Sequence, residues 1–231
     1  MDKQNDRRPS LKINGASSAP GGLYKDVVIN GDARVEGDVE CESFKVNGTA
    51  SINGKVTMES GRINGTTSFK SDLTAGEFKI FGTADISGNL TGGKIRIEGS
   101  ANMNNISADE IKLHGAILVK GDCNAENFQS FGGFSVGGLL NAGTIDINLF
   151  APCKAKEIGG EKITVRRSTA FKLAHMIKSF FVPKYDGLTA ECVEGDDIYL
   201  EYTRAKIVRG NNINLGPECE IELVEYNNTT A

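Results

Sequence analysis

The sequence predicts an all-β fold, a parallel β-helix of stacked coils, and three observations lead to this prediction. Glycines recur at a fixed interval, apolar and polar residues alternate between them, and the repeat fills about two thirds of the chain. Alternation with a period of two is typical of strands that bury one face. A fixed repeat indicates stacked units that bury a shared core.

One row of glycines sets the length of the coil. The interval from Gly31 to Gly48 defines a 17-residue period, which recurs along the row with one shorter step, from Gly99 to Gly115. The row consists of Gly31, Gly48, Gly65, Gly82, Gly99, Gly115 and Gly132. Glycine inside a strand pattern marks a bend or a close backbone approach. We therefore expect each coil to turn a corner at these residues.

Apolar residues precede the corner glycines by four and by two positions. The first row holds Val27, Phe44, Gly61, Phe78, Ile95, Ile111, Phe128 and Ile145, and the second holds Ile29, Val46, Ile63, Ile80, Ile97, Leu113, Ser130 and Ile147. Parallel stacking at about 4.8 Å aligns each row inside the solenoid. The run from Val27 to about Val165 corresponds to about eight coils with this period.

The rest of the chain divides into shorter segments. Residues 1–24, with the stretch GASSAPGG, are predicted to be a disordered tail that precedes the β-helix of residues 25–166. Residues 167–184 are predicted to form an amphipathic helix and a linker, and residues 185–226 a second, shorter β segment. This second segment either extends the first stack or docks beside it. Residues 227–231 are expected to be frayed.

The predicted helix has a cap and a stop. Ser168 or Thr169 can cap its start, and Pro183 ends it after Phe181. One interpretation is a packing helix that covers the end or the flank of the solenoid. The other is a helix that binds a membrane surface or a partner. Its candidate contact residues are Phe171, Lys172, Met176, Lys178, Phe180 and Phe181.

Composition gives little indication of catalytic or ligand-binding chemistry. The net charge of −4 argues against a nucleic-acid partner. The five cysteines are widely spaced without a CxxC pair and are interpreted as buried thiols in a reducing compartment. The start, MDKQNDRRPS, has no apolar core, so a cytoplasmic location is expected, with the inner face of the membrane as an option. We expect no catalytic residue, metal ligand or cofactor.

The repeat disfavours two enzyme classes that have solenoid folds. Hexapeptide acyltransferases build each coil from three hexapeptides and use a catalytic histidine, whereas His114 lies in a regular 17-residue repeat without an acidic partner. Pectin lyase-like enzymes need long loops around a cleft, and these coils have almost no insertions.

A row of basic residues is predicted on the outer surface. It consists of Lys45, Arg62, Lys79, Arg96 and Lys112, with glutamates one to three residues before them. Such a row is either a solvated ladder of alternating charge or a stripe that binds anions.

An uncapped solenoid end exposes strand edges and open core, and a second copy can stack on it. We expect these assembly contacts on the terminal coils. The candidate residues are Val27, Val28, Ile29, Ala33 and Val35 at one end, and Ile145, Ile147, Phe150, Ile221 and Leu223 at the other.

The coil units VNGTASINGKV and IFGTADISGNL resemble those of bactofilins, the polymer-forming bacterial cytoskeletal proteins, over about residues 25–165. Residues 193–223 look like the tail of longer, Bacillus-type relatives. The resemblance implies a right-handed triangular β-helix and end-to-end polymers that need no nucleotide. It also implies scaffolding roles in cell shape, envelope growth or motility.

The implied partners are other copies of the chain, and also scaffold paralogues or envelope and membrane proteins, without direct membrane insertion. We expect the chain to depart from the family pattern by its helix and second β segment, and by the absence of the short apolar anchor that many bactofilins carry. The remaining alternatives are a monomeric or small-oligomeric module that binds a membrane surface or an anionic partner, and an enzyme.

Overall fold

A computed structural model describes residues 8–168 and 187–227, and the chain divides into two compact units, Met1–Asn104 and Asn105–Ala231. Every regular element in these described residues is a strand, and the strands form a parallel β-solenoid of about 12 turns. The prediction of an all-β parallel solenoid is confirmed. The predicted short helix lies outside the described residues, as do its six candidate contact residues.

The first unit contains ten strands, which pair in parallel from coil to coil. They are β1 (Leu11–Ile13), β2 (Ala16–Ile29), β3 (Asp32–Val46), β4 (Thr49–Ile52), β5 (Val56–Ile63), β6 (Thr66–Phe69), β7 (Leu73–Ile80), β8 (Thr83–Ile86), β9 (Leu90–Ile97) and β10 (Ser100–Met103). Val39 pairs with Val56, and Val56 pairs with Leu73, so the predicted 17-residue register holds.

The second unit contains eight strands with a looser register. They are β11 (Ile106–Leu113), β12 (Ala116–Val119), β13 (Cys123–Ser130), β14 (Gly133–Leu149), β15 (Cys153–Arg167), β16 (Leu188–Leu200), β17 (Thr203–Leu215) and β18 (Glu220–Tyr226). Ile163 of β15 pairs with Ile198 of β16 in parallel. The second β segment therefore extends the stack of this unit, which decides between the two arrangements left open above.

Each coil consists of three segments, which we name A, B and C. Segment A is the short strand after the corner glycine, such as β4. Segments B and C are the two halves of the following long strand, such as β5, where the exposed pair Glu59 and Ser60 interrupts the alternation between them. In the middle coils the inward residues of all three segments are buried, as Ile52, Val56 and Ile63 show.

Large side chains fill the interior in register. Phe69 of segment A meets Phe78 of segment C edge to face, with ring centroids 6.3 Å apart, and both are fully buried. Burying one such side chain stabilises the fold by about 1.5–3 kcal/mol. These rows explain why a sequence with few aromatic residues supports a long solenoid.

The predicted disordered tail is wrong for residues 8–24, which form β1 and the first part of β2. Leu11 pairs with Val27, Ile13 pairs with Ile29, and Gly15 precedes Gly31 by one coil of 16 residues, one residue shorter than the 17-residue coils. These residues therefore build one more coil, because their backbone groups pair with the next coil despite their small side chains.

Candidate functional site

The predicted contact residues at the first end lie one coil inside the stack. Val27 and Ile29 are fully buried beneath β1, and Val35 is fully buried beneath Ala19 of β2. Ala33 is also buried and Val28 is half-buried. The extra coil therefore covers these residues, which were predicted to form the contact at this end.

The open edge of the first unit runs from Pro9 to Gly22, and we call it the N-edge. The carbonyl of Pro9 accepts the Lys25 N–H at 2.9 Å, so the edge begins in segment C of its coil. Among the described residues, the register of β1 runs along β2, on its inner side. The inward residues at this edge include Leu11 and Ala19, both half-buried.

The open edge of the second unit has the form of a step, and we call it the C-edge. Strand β18 pairs with β17 only from Arg204 to Gly210. Residues 211–215, the segment C part of β17, have no strand over them among the described residues. Leu215 is 40% exposed there although its row is otherwise buried.

The residues predicted to form the contact at the other end lie partly at the C-edge and partly inside the stack. Ile221 and Leu223 lie on β18 at the C-edge, with Leu223 47% exposed. Ile145 and Ile147 are fully buried in β14, and Phe150, just after β14, is 47% exposed. Buried positions inside the stack cannot contact another copy without unfolding.

The C-edge is acidic. Glu220 accepts two hydrogen bonds from the Arg204 guanidinium, each 2.8 Å long, and these lower the pKa of the carboxyl. Glu225 accepts a hydrogen bond from Arg209 at 2.7 Å. The exposed carboxylate of Glu222 lies on the same edge. The N-edge, in contrast, carries Lys12 and no acidic residue.

The predicted basic row forms short ion pairs along its own strands. Lys79 lies 3.5 Å from Glu77, and Arg96 lies 2.6 Å from Glu98. Exposed pairs of this kind stabilise by at most about 1 kcal/mol. Arg62 stacks on the Phe81 ring with its guanidinium carbon 4.3 Å from the centroid. This geometry favours the charge ladder over the anion-binding stripe.

Three open clefts lie on the outer walls of the second unit, with volumes of about 700, 470 and 680 Å³. In the largest, Lys206 lies 3.5 Å from Glu191, and Arg204 pairs with Glu220. Within residues 8–168 and 187–227, no cluster of His, Cys, Asp or Glu could hold a metal ion. His114 packs against the Phe131 ring, with centroids 5.1 Å apart.

The cysteines are free thiols with different exposures. Cys41, Cys123 and Cys153 are buried, and burial raises the pKa of each to about 12. Cys192 and Cys219 are half-buried. The prediction of buried thiols is therefore confirmed for three of the five cysteines.

A separate finding concerns membranes. In the part of the chain that the structure describes, no helix is long and apolar enough to span a bilayer.

The chain resembles one protein family and two Bacillus subtilis proteins over part of its length. Residues 7–91 match the family model of bactofilins, described as polymer-forming cytoskeletal. The uncharacterized protein YhbF of Bacillus subtilis (strain 168) is 44% identical over 71 residues, which is 31% of this chain and 26% of YhbF. YhbE of the same organism, also uncharacterized, is 62% identical over 39 residues, or 17% of this chain and 16% of YhbE.

The matched stretches thus span about a quarter or less of these relatives. No solved structure matches the chain. The family match begins at the N-edge and covers the most regular coils of the first unit. The resemblance seen in the coil units is confirmed over residues 7–91, which match the bactofilin family model.

Proposed function

We propose that this chain is a non-enzymatic cytoskeletal scaffold that self-assembles into polymers without nucleotide. The observation that carries the proposal is the pair of open strand edges, one in each unit. An unpaired edge presents backbone donors and acceptors to another chain. The C-edge adds exposed core residues, Leu215 among them.

The family description supports the same function, since residues 7–91 match a polymer-forming cytoskeletal family. A regular solenoid wall without a deep enclosed cavity in its described residues suits a structural role better than catalysis. The polymer would lie in the cytoplasm, at the inner face of the membrane. It would support cell shape, envelope organisation or motility, and its partners would include scaffold paralogues or envelope proteins. These cellular roles follow from the bactofilin resemblance.

Negative-stain electron microscopy of the purified chain, without nucleotide and over a range of salt concentrations, tests the proposal. We expect filaments, ribbons or sheets, and a sedimentation profile that shifts to larger species as protein concentration rises. Particles of one chain at every concentration would contradict self-assembly and favour a binding module.

A further inference from the structure

We propose that one corner of the second unit docks sideways on the surface of an anionic lipid bilayer. The contact would be peripheral, with exposed side chains reaching into the headgroup layer. This inference adds a membrane surface to the proposed scaffold, and it does not depend on self-assembly. The exposed apolar side chains at this corner and the cations beside them carry it.

The corner exposes three large apolar side chains to water. Leu118 is 45% exposed, Phe131 is 44% exposed and Phe150 is 47% exposed, and we call these three residues the corner patch. The other large apolar side chains that the structure describes as exposed belong to β2, β17 or β18, the strands of the two open edges, and they are Leu23, Leu215, Leu223 and Tyr226. Away from those strands, exposed apolar groups therefore concentrate at one corner.

The corner patch follows the stacking of neighbouring coils. Phe131 directly precedes the corner glycine Gly132. His114 occupies the equivalent position one coil earlier, and its ring stacks on Phe131 with the centroids 5.1 Å apart. Leu118 lies on β12, the short strand after that corner, at an outward position. These side chains therefore form one continuous surface on the outside of the stack.

A lengthened turn brings Phe150 to the same corner. Phe134 pairs with Cys153 at an interval of 19 residues, two more than in the regular coil. The extra residues form the turn that holds Phe150, and a Cβ on Gly133 would lie 3.2 Å from the Cβ of Ala151 in this turn. An exposed aromatic ring in an inserted turn adds no burial to the core and favours a role in binding.

Cations flank the corner patch on both sides. On the segment A side lie three exposed lysines, Lys120, Lys154 and Lys156, none of which forms an ion pair among the described residues. On the segment C side lies Arg166, which neighbours Asn148 in the register. The apolar surface is thus bordered by positive charge.

The carboxylates on this side of the unit are engaged with their own neighbours. Glu110 forms an ion pair with Lys112, and Asp146 accepts a hydrogen bond from the Asn148 amide at 3.2 Å. Asp122 accepts the Leu139 N–H at 2.8 Å. The lysines beside the corner patch therefore remain available to an anionic partner.

An anionic bilayer matches this combination. Leucine and aromatic side chains enter the boundary between headgroups and acyl chains, while lysine and arginine pair with lipid anions. The corner patch exposes apolar area on the order of 250 Å², whereas a stable protein interface needs about 800 Å² from each partner. Two copies joined through this corner would also bring the lysines of one against those of the other, which repel.

Vesicle flotation tests the inference, because vesicles rise in a density gradient whereas free polymers sink. The wild type should float with vesicles of phosphatidylcholine and phosphatidylserine, less with phosphatidylcholine alone, and less as salt is added. The double variant Phe131→Ser, Phe150→Ser should need about tenfold more lipid, or still more, for half-maximal flotation. Circular dichroism should show the wild-type fold, since both side chains are exposed.

A pair of charge variants separates the corner from net charge. Lys120→Glu with Lys154→Glu should weaken flotation by about tenfold or more, because each lysine near an anionic surface contributes to binding. Lys45→Glu with Lys55→Glu, at exposed positions of the first unit, changes the net charge equally and is the control. Equal losses in the two double variants would mean that net charge alone governs binding, which overturns the inference.

Tryptophan provides an independent readout, because the chain contains none. Phe131→Trp should shift its emission to shorter wavelength when anionic vesicles are added, and bromine-labelled acyl chains should quench it. Thr57→Trp, at an exposed position of the first unit, should keep its emission. A protein that floats without any change at position 131 would contact lipid elsewhere, contrary to the inference.

The outcomes also separate this inference from the proposed function. Wild-type polymers that do not float with anionic vesicles would overturn the membrane contact, leave a protein as the partner of the corner patch, and keep the scaffold. Single chains that float, and that lose flotation in the Phe131→Ser, Phe150→Ser variant, would support the membrane contact and remove the scaffold. Undiminished flotation of that variant would overturn the inference whether or not polymers form.

Discussion

Gly65 lies so close to Gly48 that a Cβ on Gly65 would be 1.9 Å from the Gly48 carbonyl oxygen. The contact is to backbone, so it cannot be relieved by rotating a side chain. Gly65→Ala should therefore force the two coils apart and lower the free energy of unfolding by about 1–3 kcal/mol or more. Urea unfolding followed by circular dichroism measures this change.

Gly15→Ala is the matched control in the same row. Its Cβ meets nothing within 4 Å, so the free energy of unfolding should change little when measured at a concentration too low for assembly. If Gly65→Ala and Gly15→Ala lowered the free energy of unfolding equally, the glycine row would be sensitive to substitution for a reason other than the close approach between coils.

The glycine row shows how far the sequence predicts the fold. Gly31 to Gly132 recur with buried apolar rows, and period and alternation together predict the stack. Gly15 belongs to the same row, but the polar Ser17 stands where most coils carry alanine, and Ala19 stands where they carry larger apolar residues. Small polar side chains are also typical of disordered segments, so composition does not distinguish the first coil from a tail.

The open edges are harder to predict than the coils. Ile221 and Leu223 lie on the last strand, whereas Val27 and Ile29 are covered by β1. Along β17, alternation gives Ile213 the same inward position as its buried neighbours in the stack, although no strand of the described residues covers it. Alternation along a strand predicts which side chains face inward. It does not predict whether another strand pairs with that strand, because pairing depends on residues elsewhere in the chain.

Thr67 occupies an inward row between Ala50 and Ala84, and its buried hydroxyl has no hydrogen-bond partner among the described residues. Burying an unpaired hydroxyl costs about 1–3 kcal/mol. Thr67→Val keeps the shape of the side chain and removes this cost. We expect the free energy of unfolding to rise by about 1–2 kcal/mol, measured in urea.

Thr66→Val is the control for this change, since Thr66 is exposed on the same strand. Both substitutions alter strand propensity equally, so only the buried position should gain stability. A gain of the same size at position 66 would attribute the effect to propensity instead of the unpaired hydroxyl.

Asn14, Asn30, Asn47 and Asn64 form a ladder of side-chain hydrogen bonds at the corners of four successive coils. The amide of Asn47 donates to Asn30 at 2.6 Å and accepts from Asn64 at 2.8 Å. Asn47→Ala removes both bonds and should lower the free energy of unfolding by about 1–2 kcal/mol. The midpoint of thermal unfolding, which should fall accordingly, measures this change.

Asn14→Ala removes a single bond of the ladder, the one that Asn30 donates at 2.8 Å. The free energy of unfolding of Asn14→Ala should fall by about half as much as that of Asn47→Ala. Similar losses for the two variants would indicate that each asparagine acts through its own corner and that the ladder contributes nothing as a chain.

Cys123 should make the stability of the second unit depend on alkaline pH. Burial raises the pKa of its thiol from 9.0 to about 12. The folded chain therefore keeps the proton in a range where the unfolded chain has lost it. Its contribution is fully present below pH 9 and declines as the pH rises toward 12.

The expected slope has an upper limit, because one proton changes the free energy of unfolding by at most about 1.4 kcal/mol for each pH unit. Other groups titrate in the same range, so the informative quantity is the difference between wild type and Cys123→Ala. The variant loses packing at pH 7, and its disadvantage should shrink between pH 9 and pH 11 because it has no thiol to ionise. Urea unfolding across this range measures the two curves, and curves that stay parallel would mean that the thiol ionises equally in the folded and unfolded chains.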